Sequence, residues 1–155
     1  MESIFPSEEF SSHEPMIRLN LNALKPFETV TTQFTDLGVT FQNAIALEPS
    51  NPAYFSPSSK IVLLGNPKQG WLEATFCAPV STIQCRVTSS QRTIMSVHNA
   101  AELLLGQTEL EEANLTGLPS STRANQYLTI SFHDIHKVTF YAFDGQITLS
   151  EFNFQ

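Results

Sequence analysis

Apolar residues in this chain recur at every second position far more often than at every third or fourth, which is the period of strands. Ile17, Leu19 and Leu21 alternate with Arg18, Asn20 and Asn22. Val39 and Phe41 open a second strand that runs on toward Ala44 and Leu47. Ile61 to Leu64 is a third, short and closed by Gly65-Asn66-Pro67. Trp71 to Cys77 and Val80 to Val87 read as a hairpin turning at Ala78-Pro79. Thr93 to His98 and Leu103 to Thr108 read as another, joined through Asn99 to Glu102. Leu128, Ile130 and Phe132 alternate, as do Val138, Phe140 and Ala142, with a turn expected at Asp134 between them. The last strand, Ile147 to Phe154, changes phase near Ser150-Glu151, which predicts a β-bulge.

Two stretches lack this period. Residues 48–60 form a loop holding Pro49, Pro52 and Pro57, and a loop of that length in a small domain is functional or mobile. Residues 109–125 are a polar connection with a helical turn expected at Glu109 to Ala113. Short strands at about 8–12-residue spacing predict an all-β fold, an antiparallel β-sandwich or a barrel. Residues 16–155 form one domain in this reading, and 1–15, with four glutamates and no basic residue, an acidic tail. The expected core includes Phe76, Ile83, Phe132 and Phe140. Cys77 and Cys85 are expected to be free core thiols.

Composition narrows the function classes. Charged residues make up 15% of the 155, well under the ordinary quarter, and the net charge is −7. Eight scattered basic residues cannot build the phosphate-binding field that nucleic acid requires, nor hold an anionic lipid surface. No apolar run nears the roughly 20 residues that span a bilayer. The start Met1-Glu2-Ser3-Ile4-Phe5-Pro6 lacks the basic and apolar segments of a secretory signal, so a cytoplasmic location is expected.

Several segments together resemble a bacterial module. Phe27-Glu28-Thr29, Thr32-Gln33-Phe34 and Gly38 to Ala44 come first, then Ala74 to Ile83, Val97 to Gly106, Leu128 to Phe140 and Ser150 to Phe154. In this order they are similar to β-sandwich modules of exported proteins with PEP-CTERM sorting tails. The resemblance implies a jelly roll of the galactose-binding or carbohydrate-binding kind. It also implies a place for calcium near the last strand. Ser150 and Glu151 stand where that family has adjacent aspartates, so binding is expected to be weak or nil.

The remaining candidates follow from side-chain chemistry. In a jelly roll the first and last strands are often neighbours, which makes Glu28 and Glu151 the candidate metal ligands. His133, Asp134 and His136 are a second set, provided that a turn joins them, whereas His13 and His98 show no partner. Trp71, Tyr54, Phe55, Tyr141 and Phe143 are candidate ligand-binding aromatics, because sugars and protein partners both dock on such rings. Asn114-Leu115-Thr116 is a chance glycosylation sequon. With no nucleophile elbow, phosphate loop or zinc knuckle, the chain reads as a non-catalytic binding or interaction module without a cofactor. A protein or glycan partner is expected, and self-association through an exposed sheet face. The alternatives are a carbohydrate-binding module with a degenerate calcium site, and a hydrolase or isomerase on the same scaffold.

Overall fold

In the computed structural model, residues 15–65, 70–117 and 124–155 are described. The expected tail, nearly all of it, therefore lies outside the described residues, as do Asn66 and Pro67 and part of the connection before Asn125. Among the described residues ten strands form one continuous antiparallel sheet: β1 (Ile17–Arg18), β2 (Thr29–Val30), β3 (Val39–Gln42), β4 (Ala44–Leu47), β5 (Val62–Gly65), β6 (Trp71–Ser89), β7 (Thr93–His98), β8 (Leu104–Leu110), β9 (Gln126–Tyr141) and β10 (Ile147–Phe154). The all-β antiparallel expectation holds.

The sheet becomes a sandwich because its two longest strands cross from one layer to the other. The front of β6, Glu73 to Phe76, pairs with β3, and its rear, Ile83 to Ser89, pairs with β10. Layer one runs β3, front of β6, rear of β9, β7, β8; layer two runs β2, β4, β5, β10, rear of β6, front of β9, with β1 beside β10. Ring contacts show the layers facing one another. Phe41 of β3 meets Phe152 of β10 edge-on at 5.2 Å, and Phe76 of β6 lies 5.0 Å from Phe154. Phe76, Phe140 and Phe152 are fully buried, each worth about 2–3 kcal/mol of burial.

The expected hairpin at Ala78-Pro79 is not a turn. β6 passes straight through it, and the ladder to β9 is interrupted between Thr75 and Val80, so the proline withholds no hydrogen bond that the sheet needs. The turn expected at Asp134 is likewise a bend inside one strand: Asp134 takes φ +63 while β9 continues. An Asp tolerates that left-handed step better than most side chains. The reverse error occurs at Asn43. The single strand read from Val39 toward Leu47 is split there at φ +61, sending β3 to layer one and β4 to layer two. The Asn43 amide holds the corner by donating to the Trp71 carbonyl at 2.7 Å.

Other expectations shift locally. The alternation from Ile17 to Leu21 forms only the two-residue β1, then a 3₁₀ turn at Leu21–Ala23, although Leu19 and Leu21 are buried as expected. Glu109 and Leu110 complete β8 instead of opening a helical turn. The β10 bulge is present, with Ser150 the inserted residue between the Leu149–Val87 and Glu151–Arg86 pairs. Phe132 is 41% exposed, not core, because it stands at the β9 bend where the parity breaks. Its ring lies where Gly106 would carry a Cβ, so the glycine makes room for it. Both cysteines are free, but Cys77 is exposed and only Cys85 is a core thiol. They stand on one strand, each residue adding about 3.3 Å, far beyond disulfide reach. Burial raises the Cys85 pKa well above the ordinary thiol range.

Candidate functional site

Strand parity builds an open face on layer one. Leu72, Ala74 and Phe76 point inward, so Trp71, Glu73 and Thr75 of β6 point out. The register lines them up with neighbours of the same parity. Trp71 stands opposite Tyr141 of β9, which stands opposite Ile94 of β7. The next row is Gln42, Glu73, Thr139, Ser96 and Gln107. The third is Thr40, Thr75, Lys137 and His98. Rows two residues apart are separated by about 7 Å, and neighbouring strands by about 4.8 Å. Every one of these side chains is half-buried or exposed, and Tyr141 is 45% exposed. No described segment covers the face.

The face is aromatic at one end and charged at the other. Phe143, just past the end of β9 and 77% exposed, lines a shallow pocket of ≈ 200 Å³ with Tyr141, Ile94, Gln91 and Arg92. Arg92 is held by Glu109 at 2.6 Å. At the far end Lys137 meets Glu102 at 2.6 Å. The hydrogen bond from Lys137 lowers the Glu102 pKa, its charge lowers it further, and His98 and His136 add to the effect. Between the ends, Gln107 donates to Ser96 at 3.1 Å. Glu73 and Thr139 add a carboxylate and a hydroxyl to the same polar row.

The outer face of layer two is the opposite case. All eight residues of β10 are buried, its outward Glu151 to 5% exposure. The 48–60 loop lies over this strand. Ser58 donates to Glu151 Oε2 at 2.6 Å, and Arg86 donates to the Ser58 hydroxyl. Tyr127 donates to the same carboxylate at 2.8 Å and Asn153 at 3.1 Å, while Arg86 and Arg18 stand 3.5 and 3.6 Å away. Burial raises the Glu151 pKa, but the Ser58, Tyr127 and Asn153 hydrogen bonds with the Arg18 charge outweigh it, and the net direction is down. Asn125 donates to the Phe55 carbonyl, and the Asn22 side chain accepts from Ser59 and from the Lys60 and Ile61 backbone.

The five candidate aromatics therefore part company. Trp71, Tyr141 and Phe143 come together on the open face. Tyr54 is 7% exposed, its hydroxyl 3.4 Å from Gln146, and burial raises its pKa; it lines a groove with Phe27, Leu47 and Leu64, apart from the open face. Phe55, 52% exposed, borders a groove of ≈ 430 Å³ in the 48–60 loop, away from the other three.

The two candidate carboxylates are not neighbours. Glu28 precedes β2, which is separated from β10 by β4 and β5, so three strand spacings, about 14 Å, lie between. Glu28 is half-buried and accepts from the Lys25 backbone at 2.6 Å and from Gln33 at 2.9 Å; these bonds, Lys25 first, lower its pKa. Among the described residues no group of three His, Cys, Asp or Glu side chains is placed to hold a metal ion. The bend at Asp134 leaves His133 exposed and His136 half-buried within one strand. Asn114 of the sequon is fully buried, receiving the Ser89 N–H at 2.8 Å and donating to the Val87 carbonyl at 3.0 Å. His13 lies outside the described residues.

Glu73, Thr139, Ile94, Ser96 and Gln107 were not singled out from the sequence. Their outward parity was readable in each strand, but which strands stand side by side was not.

No protein-family model matches the chain, and no curated protein does. Solved structures similar to this chain include a carbohydrate-binding module of family 29, at 8% identity and TM-score 0.47, covering 91% of this chain and 89% of that one. Another is the lectin domain of lectinolysin in complex with Lewis b antigen, at 11% identity and TM-score 0.45, covering 76% and 90%. A fucose-binding module of Streptococcus pneumoniae is similar at 12% identity and TM-score 0.41, covering 61% and 71%.

Proposed function

We propose that this chain is a non-catalytic binding module and that its ligand, a glycan, lies on the open face of layer one. The observation that supports this is the Trp71–Tyr141 pair, side by side in register, with a row of hydrogen-bonding side chains one step behind it. A sugar ring has an apolar face that stacks on aromatic carbon and a rim of hydroxyls that needs donors and acceptors. The aromatic row offers the first, and Glu73, Thr139, Ser96 and Gln107 offer the second. On this face Glu109 is held by Arg92 and Glu102 by Lys137, which leaves Glu73 without the second carboxylate that hydrolysis of a glycosidic bond requires.

The test is a glycan array followed by titration calorimetry on the hits, using the full chain. A glycan ligand should be found, and Trp71→Ala and Tyr141→Ala should each weaken it at least about tenfold, the scale of an anchor residue. Undiminished binding by the double variant overturns the site. The apolar continuation through Ile94 and Phe143 favours one rival, a protein partner anchored on the same rings. An array without hits, combined with a protein ligand lost on Tyr141→Ala, would establish that rival.

A further inference from the structure

β8 is the last strand of layer one. It pairs with β7 and, among the described residues, with no strand on its other side. Such an edge offers a row of unpaired N–H and C=O groups, which monomeric proteins usually blunt with charge, proline or a covering segment. From Leu104 to Thr108, Leu-Leu-Gly-Gln-Thr, this edge has neither charge nor proline. Its one acidic residue, Glu109, is held by Arg92. The opposite edge of layer one is the four-residue β3, where the Phe41 N–H donates to the Thr31 carbonyl at 2.9 Å, and the other end of the sheet is the two-residue β2. β8 has seven residues, about 24 Å of strand. Large apolar side chains are exposed beside it: Leu103 at 63%, Leu104 at 54% and Phe132, seated on Gly106, at 41%.

We infer that this edge pairs with a second copy of itself, joining β8 to β8 antiparallel about a two-fold axis at Gln107. That register suits the sequence. Gly106 falls opposite Thr108, Leu104 opposite Leu110, and Leu105 opposite Glu109, so no charge meets a like charge. Gln107 meets its own copy, and two side-chain amides supply each other with donor and acceptor. An isologous pairing closes after two chains, which satisfies the edge without starting a fibre. The net charge of −7 on each copy opposes association, so the dimer tightens as salt screens it.

The dimer has a geometric consequence. A two-fold axis normal to the sheet keeps both open faces on one side. Tyr141 and its copy are then five strand spacings apart across the strands and four residues apart along them, about 27 Å in all. If that face binds glycan, as proposed above, the dimer is bivalent for a repeating ligand. The pairing itself does not depend on that reading.

Analytical ultracentrifugation of the full chain across micromolar to millimolar concentration tests the pairing. The wild type should reach twice the chain mass and fall to one on dilution. Gln107→Lys places two ammonium groups face to face and should remain a single chain throughout, with unchanged far-UV circular dichroism. In a Cys77→Ser background, Gln107→Cys should oxidise to a disulfide-linked dimer, while Ser96→Cys, one strand inward on the same face, should not. A wild type that stays a single chain at the highest concentration overturns the pairing, even if the edge accepts a peptide from another protein. A dimer that ignores Gln107→Lys, and that forms no disulfide in the Gln107→Cys variant, overturns it as well, since the interface then lies elsewhere.

Discussion

The two outer faces of the sandwich are built from the same kinds of residue and end in opposite states. On layer two, Glu151, Asn153, Arg86 and Tyr127 are satisfied by one another and by Ser58 of the loop that lies across them. On layer one, Glu73, Thr139 and Ser96 stand in register beside aromatic rings with no described segment over them. A polar group whose partners lie inside the protein contributes to the fold. One that faces solvent beside half-exposed aromatic rings is available to a ligand. The distinction lies in what lies above the sheet, since residue type is nearly the same on both.

This contrast can be broken by substitution, and the largest effect belongs to the covered face. Arg86→Ala leaves the buried Glu151 carboxylate short of a cation and should cost about 3 kcal/mol in denaturant unfolding. A loss below about 1 kcal/mol would mean that solvent reaches Glu151 and the face is not closed. The pH dependence comes next. The folded-state pKa of Glu151 is lowered, so the unfolded chain binds the proton more readily. Its contribution is present above the ordinary carboxylate range and is lost as pH falls through the lowered folded-state pKa. Glu151→Gln should therefore flatten the acid limb of a stability–pH curve. An unchanged limb would show that the enclosure of Glu151 contributes nothing to stability.

A smaller effect is expected from the open face itself. Trp71→Ala and Tyr141→Ala each remove one side of a cross-strand pair and should lower stability by at most about 1 kcal/mol, while weakening the proposed binding at least about tenfold. Calcium should do least. With Glu28 and Glu151 about three strands apart and Glu151 already surrounded by donors, melts in millimolar calcium and in chelator should coincide. A rise of many degrees, removed by Glu151→Gln, would show that the loop opens to admit the ion.

Much of the secondary structure was legible, because alternation is a local property. The β10 bulge at Ser150, the hairpin of β7 and β8 and the buried Phe76, Ile83 and Phe140 all follow from parity alone. Parity failed where the chain changes layer. Pro79 looks like a turn and stands inside β6, Asp134 likewise in β9, while Asn43 looks like strand and is a corner. Each carries a backbone preference that suits a turn and a bend equally well, and only the pairing partner decides between them.

The sequence by itself determined an all-β chain with alternating faces and a net charge of −7, and named Trp71, Tyr141 and Phe143 among its aromatics. Only the tertiary structure decided that those three share a face while Tyr54 and Phe55 line grooves apart from it. It also decided that Glu151 is enclosed under a loop and that β8 ends the sheet. The physical reason is range. Side-chain direction repeats every two residues and can be read in one strand, whereas neighbourhood depends on contacts such as Ser58 with Glu151, 93 residues apart, that no local pattern encodes.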